Sequence, residues 1–91
     1  MVMMTKAKPT EFKLYAPNAK KVYLAGSFNS WESKSLSAKK DSKGNWAIKV
    51  SLKPGKYEYK FFVDGSWQND PRCSASICNS FGSQNNLIEV R

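Results

Sequence analysis

Residues 45–63 read NWAIKVSLKPGKYEYKFFV. Trp46, Ile48, Val50 and Leu52 recur at a period of two, the pattern of a strand with one buried face. Lys53-Pro54-Gly55-Lys56 supplies turn chemistry, and the alternation then resumes. Tyr57, Tyr59, Phe61 and Val63 face one way, while Lys56, Glu58, Lys60 and Phe62 face the other.

Working outward, Asp64-Gly65 closes a second hairpin. Upstream, TEFKLY (10–15) and KKVYLAGSF (20–28) read as strands separated by the Ala16-Pro17-Asn18 turn, and NLIEV (86–90) reads as a last one. No stretch combines a helical period with caps. Short strands with a turn signal about every ten residues predict an all-β fold, and the aromatic faces need two packed sheets to bury them. The expected architecture is an immunoglobulin-like β-sandwich of two antiparallel sheets, with a small barrel as the alternative. The 91 residues are enough for one domain, expected over residues 10–91 after a flexible N-terminal segment at residues 1–9.

The net charge of +8 is carried unevenly, since residues 1–60 hold thirteen Lys against four acids. Lysine scattered along strands is more often a solubilising face or an edge guard than a nucleic-acid footprint, which favours Arg. The first residues, MVMMTKAKPT, contain no apolar run long enough for a signal peptide or membrane span, so the expectation is a cytoplasmic protein. Cys73 and Cys78 are then expected as reduced thiols, with a bridge inside one loop as the other reading.

The chain has no His, which removes the usual general base and the commonest metal ligand. Two Cys do not make a structural zinc site, the five Gly are isolated rather than arranged as a phosphate loop, and a domain this small has little room for a carboxylate-lined cleft. The expectation is a non-catalytic binding domain without metal or cofactor.

A type I′ turn at Asp64-Gly65 sets a register in which Phe62 faces Trp67, Phe61 faces Gln68 and Lys60 faces Asn69. Cross-strand partners share a face, so Trp67 lies with Lys60, Phe62 and Asn69, opposite the core-facing set. A register slip of one residue would turn the indole inward. Trp31, within GSFNSW (26–31), also sits in loop composition, either as part of the same patch or as a staple over one end of the sandwich. Exposed indoles with Lys and Asn around them suit a sugar, whose apolar ring face stacks on an aromatic plane and whose hydroxyls need donors and acceptors. Single-stranded nucleic acid also stacks on aromatics and remains an alternative.

Three segments carry a family resemblance: VYLAGSFNSW (22–31), YEYKFFVDGSW (57–67) with NDP (69–71), and GSQNNLIEV (82–90). They resemble the family 48 carbohydrate-binding modules, which include the glycogen-binding domain of the AMP-activated protein kinase β subunit and N-terminal domains of isoamylases and branching enzymes. The resemblance implies an early-set immunoglobulin-like sandwich that binds α-1,4-linked glucans such as glycogen, starch or maltooligosaccharides. By motif, the stacking residues fall on Trp31 and Trp67, the sugar-contacting Lys on Lys60, and the loop before the last strand contributes Phe81, Ser83 and Asn85. Phe81 replaces a Leu of the kinase domain and Ser83 a Thr. The resemblance also implies a glucan-acting enzyme or kinase subunit as partner in trans. A domain of this fold that holds a partner protein and no longer binds sugar is the competing reading.

Overall fold

A computed structural model describes residues 7–73, 75–79 and 82–91. Residues 1–6 of the expected flexible segment, and Phe81, lie outside the described residues. The described residues form nine strands and one short 3-10 turn. The strands are β1 (Lys8–Tyr15), β2 (Val22–Gly26), β3 (Leu36–Ser37), β4 (Lys39–Lys40), β5 (Asn45–Leu52), β6 (Gly55–Val63), β7 (Ser66–Gln68), β8 (Ser76–Cys78) and β9 (Gln84–Val90). The 3-10 turn, Ser27–Asn29, follows β2.

These elements form two antiparallel sheets. The smaller has the order β1-β5-β4, and the larger β3-β2-β6-β9-β8, with β7 paired to β6 as a side branch. The alternation read in residues 45–63 explains how they meet. Trp46 and Leu52 of β5 join Phe12 and Leu14 of β1, and these pack against Val22, Leu24, Tyr59, Phe61 and Val90 of the larger sheet. The result is a β-sandwich with its core between the sheets, as expected. Trp46 is buried in that core, and its indole N–H donates to the Ala16 carbonyl at 2.9 Å, which satisfies the one polar atom it brings inside.

Strand β6 organises the site. Along one edge it pairs with β2, from Val22↔Val63 to Gly26↔Tyr59. Its other edge is shared: β9 pairs with Gly55 to Tyr59, and β7 pairs with Phe61 to Val63. Lys60 falls at the fork between the two.

Three strands have no counterpart in the sequence reading. β3 and β4 are two residues long and β8 three, too short to display a period. β1 starts at Lys8 and β9 at Gln84, each two residues before the expected strand. KKVYLAGSF does not stay extended to its end, because after Gly26 the chain turns into the 3-10 segment that leads to Trp31. Cys73 and Cys78 are both free thiols.

Candidate functional site

The hairpin after β6 adopts the expected turn, with φ of 47° at Asp64 and 87° at Gly65. Its register is also as expected, pairing Val63 with Ser66, Phe62 with Trp67 and Phe61 with Gln68. The Asp64 carboxylate additionally accepts hydrogen bonds from the backbone N–H of Lys20 and of Lys21, at 3.0 and 2.8 Å for Oδ1. The turn is thereby tied to the start of β2. Trp67 points away from the core and is 46% exposed.

Trp31 reaches the same face by an unusual backbone path. Ser30 and Trp31 are consecutive non-glycine residues in the left-handed region, with φ of 57° and 59°. This conformation is costly for residues with a Cβ, so the surrounding contacts must hold it. Asn29 supplies several: its Oδ1 accepts from Gly26 N–H at 3.0 Å, and its Nδ2 donates to Glu32 O and Ser35 Oγ. The Trp31 N–H donates to Gly26 O at 3.0 Å. Gly26 itself must be Gly because a Cβ there would lie 2.4 Å from the Glu58 carbonyl oxygen and 2.6 Å from the Phe28 ring. The loop so fixed sets the half-buried Trp31 against Trp67, with ring centroids 6.1 Å apart and planes inclined at 73°. Phe62 supports Trp67 from its cross-strand position, at 4.9 Å between centroids. Two rings that do not lie in one plane form an angled corner rather than a flat shelf.

The polar half of the site lies at the fork in β6. Lys60 is only 8% exposed, and its ammonium donates to Ser83 Oγ at 3.1 Å. Asn79, in the loop after β8, donates through Nδ2 to Ser83 Oγ and to Asn85 Oδ1, at 2.8 and 2.9 Å. Asn85 is 7% exposed and donates to Glu58 Oε1 at 3.0 Å. Lys60, Ser83, Asn79, Asn85 and Glu58 therefore form one network, in which Glu58 and Lys60 alternate onto the same face of β6 as Phe62, the ring that supports Trp67. Within it Ser83 is exposed, whereas Asn85 is enclosed and already bonded on both sides of its amide.

The structure thus brings together Trp31 with Trp67 and Lys60 with Ser83 and Asn85. Asn69 departs from the sequence reading. The ladder of β7 stops at Gln68, and Asn69 instead donates to Gln84 O at 2.7 Å and Asn86 Oδ1 at 3.2 Å. The cause is the fork: beyond Gln68 the edge of β6 belongs to β9. Glu58 and Asn79 were missed. Glu58 carried a signal, since it alternates onto the same face as Lys60, while Asn79 sits in a polar loop with no periodicity to mark it.

Behind the fork a second polar group is buried. Tyr59 donates through its hydroxyl to Asp70 Oδ2 at 2.7 Å, and Asp70 N–H donates to Asn86 Oδ1 at 2.7 Å. Burial, reinforced by the Asp70 hydrogen bond, holds the Tyr59 phenol far above its ordinary pKa. Tyr59 and Asp70 line a hollow of about 390 Å³ whose walls also include Glu11, Lys13, Arg72 and Cys73. None of the indole corner or of the Lys60 network lines that hollow, so it is separate from the candidate site.

A β-sandwich that displays angled aromatic rings and an amide-rich network on the outer face of one sheet has the form of a carbohydrate-binding module. The chain belongs to the family described as the glycogen recognition site of AMP-activated protein kinase, which it matches over residues 8–91. It is 39% identical over 85 residues to the 5′-AMP-activated protein kinase subunit beta-1 of Rattus norvegicus and to that of Homo sapiens, and 36% identical to subunit beta-2 of Mus musculus. Each match covers 93% of this chain and 30% of the relative, so the chain spans less than a third of the length of these curated relatives.

Proposed function

We propose that this domain binds α-1,4-linked glucans without catalysis, stacking sugar rings on Trp31 and Trp67 and bonding their hydroxyls through the Lys60–Ser83 network. The observation that carries the reading is the inclined indole pair on the same sheet face as a buried, oriented ammonium. An α-1,4-linked chain curves, so successive rings present their apolar faces in different directions. A corner inclined at 73° suits such a chain better than the flat ribbon of a β-1,4-linked one. Ser83 Oγ already accepts from Lys60 and Asn79, so its exposed hydroxyl serves the sugar as a donor, and Lys60 keeps donors beyond the one given to Ser83. Asn85, enclosed and doubly bonded, acts chiefly by holding Asn79 and Glu58 in place. Phe81 is assigned to the site on the family motif alone.

Such a surface covers only one face of each ring, and the association cost offsets much of what that contact contributes, which implies a Kd on the order of micromolar to millimolar. The domain then works best on a ligand with many repeats, or tethered to a second binding element. The relatives are kinase subunits, which supports a kinase or glucan-acting enzyme as the companion, in a cytoplasmic setting.

Titration with maltoheptaose, followed by Trp fluorescence, tests the reading. Saturable quenching that disappears in Trp67→Ala, with an unchanged circular dichroism spectrum, is expected. Retention of normal binding by both Trp67→Ala and Trp31→Ala rules out the stacking mechanism. Flat titrations of the unmodified protein, together with a stable protein complex, favour the partner-holding domain instead.

A further inference from the structure

On the outer face of the larger sheet, Tyr23 pairs with Phe62 across β2 and β6, and Phe62 pairs with Trp67 across β6 and β7. The three side chains form one row transverse to the strands, with adjacent strands about 4.8 Å apart. The Trp67 end of the row is the indole corner. At the other end is a hollow of about 340 Å³ lined by Lys21, Tyr23, Lys34, Phe62, Asp64 and Gly65. Phe62 belongs to both, since its ring contacts Trp67 and also lines the hollow.

The walls of this hollow are cationic and its floor is aromatic. Lys21 and Lys34 are exposed, and neither forms an ion pair among the described residues. The one acid in the lining, Asp64, already accepts from the backbone N–H groups of Lys20 and Lys21. Its charge remains, but its oxygens are engaged, and it leaves the two ammonium groups to an incoming ligand. Long lysine stems lie along apolar surface while keeping their charge at its rim, which suits an anion held above a ring face.

We infer that this hollow is an anionic subsite, taking a phosphate monoester carried on a glucose residue next to those held at Trp31 and Trp67. The inference rests on the glucan reading above and extends it to phosphorylated glucans. A glucan leaving the corner along the Tyr23–Phe62–Trp67 row passes over the hollow, so a substituent dianion arrives between Lys21 and Lys34 without a separate docking event. An acidic polypeptide would meet the same two charges but would make no use of the aromatic row.

The test compares three ligands on the whole chain: maltoheptaose, a phosphate-esterified maltooligosaccharide of similar length, and inorganic phosphate. The expected result is about threefold to tenfold tighter binding of the esterified sugar, weakening with added salt, and only feeble binding of inorganic phosphate. Lys34→Gln and Lys21→Gln should each reduce that gain and leave maltoheptaose unchanged; neither substitution touches the backbone bonds that Lys21 makes with Asp64. Equal affinity for neutral and esterified sugar overturns the subsite while the glucan reading stands. Failure of both sugars to bind removes the glucan reading and the subsite together. Poly-glutamate binding as tightly as the esterified sugar, and losing it in the same variants, assigns the hollow to acidic protein instead and overturns the inference.

Discussion

The rings of Trp31 and Trp67 meet edge to face, with centroids 6.1 Å apart and planes at 73°, although 36 positions separate them in the chain. Each indole limits the freedom of the other. Removing one ring therefore removes a stacking surface and also loosens the survivor. Both single alanine variants should lose on the order of tenfold or more in affinity for maltoheptaose. In a double-mutant cycle, the double variant should lose less than the sum of the singles. Strict additivity would show that the two rings act independently.

Gly26 sets the Trp31 loop through available space, not through an unusual φ. Its backbone is extended, and an added Cβ meets the backbone oxygen of Glu58 at 2.4 Å. That oxygen belongs to β6 and cannot yield without disturbing the sheet. Gly26→Ala should cost about 1–3 kcal/mol in urea denaturation. Gly65→Ala is the contrast: φ is +87° with no atom within 4 Å of the new Cβ, so only the conformational cost of about 1–2 kcal/mol applies. A smaller loss at Gly26 than at Gly65 contradicts the packing argument.

Alkaline pH should unfold the protein partly through Tyr59. Its folded pKa lies above the ordinary value of 10.0, because burial and the Asp70 hydrogen bond favour the neutral phenol. The contribution to stability is fully present below pH 10 and declines above it, as the unfolded chain ionises while the folded chain does not. Tyr59→Phe should flatten stability against pH between about 10 and 12. It should also lower stability at pH 7 by about 1–3 kcal/mol, because the buried Asp70 carboxylate loses a donor. An alkaline limb identical to that of the unmodified protein would exclude this cause.

The acid limb has a separate contributor in the turn before β5. Asp41 Oδ1 accepts from the backbone N–H of Asn45 at 3.0 Å and of Lys43 at 2.8 Å, and these bonds hold its pKa below the ordinary 3.8. A depressed carboxylate pKa contributes stability above the unfolded value, and that contribution is lost as pH falls through the folded value. Asp41→Asn should therefore reduce the stability difference between pH 5 and pH 2, measured by thermal unfolding at each pH. An unchanged difference would place the acid sensitivity elsewhere.

Much of this arrangement was legible in the sequence wherever periodicity and turn chemistry agreed. NWAIKVSL and KYEYKFFV alternate cleanly, and Asp64-Gly65 admits few turns, so the face of Trp67 followed from spacing alone. The meeting of Trp31 with Trp67 did not follow, since it depends on two left-handed residues whose conformation neither Ser30 nor Trp31 favours. Asn69 was placed beside Lys60 because a two-strand hairpin has no means of announcing that a third strand takes over its edge. Asn85 reads as a sugar contact by motif, and its hydrogen bond to Glu58, 27 positions away, was not legible because it depends on the pairing of β6 with β9.

The shared edge of β6 has a mechanical consequence. The strand carrying Trp67 and the strand following Ser83 are two limbs joined at the pivot of Lys60, and between Phe61 and Tyr59 neither limb braces the other through the ladder. A sugar chain lying across both limbs would act as a rivet. Its imprint would be slowed amide exchange in Ser66–Gln68, a strand of three residues with a single neighbour, including at amides that no sugar atom touches.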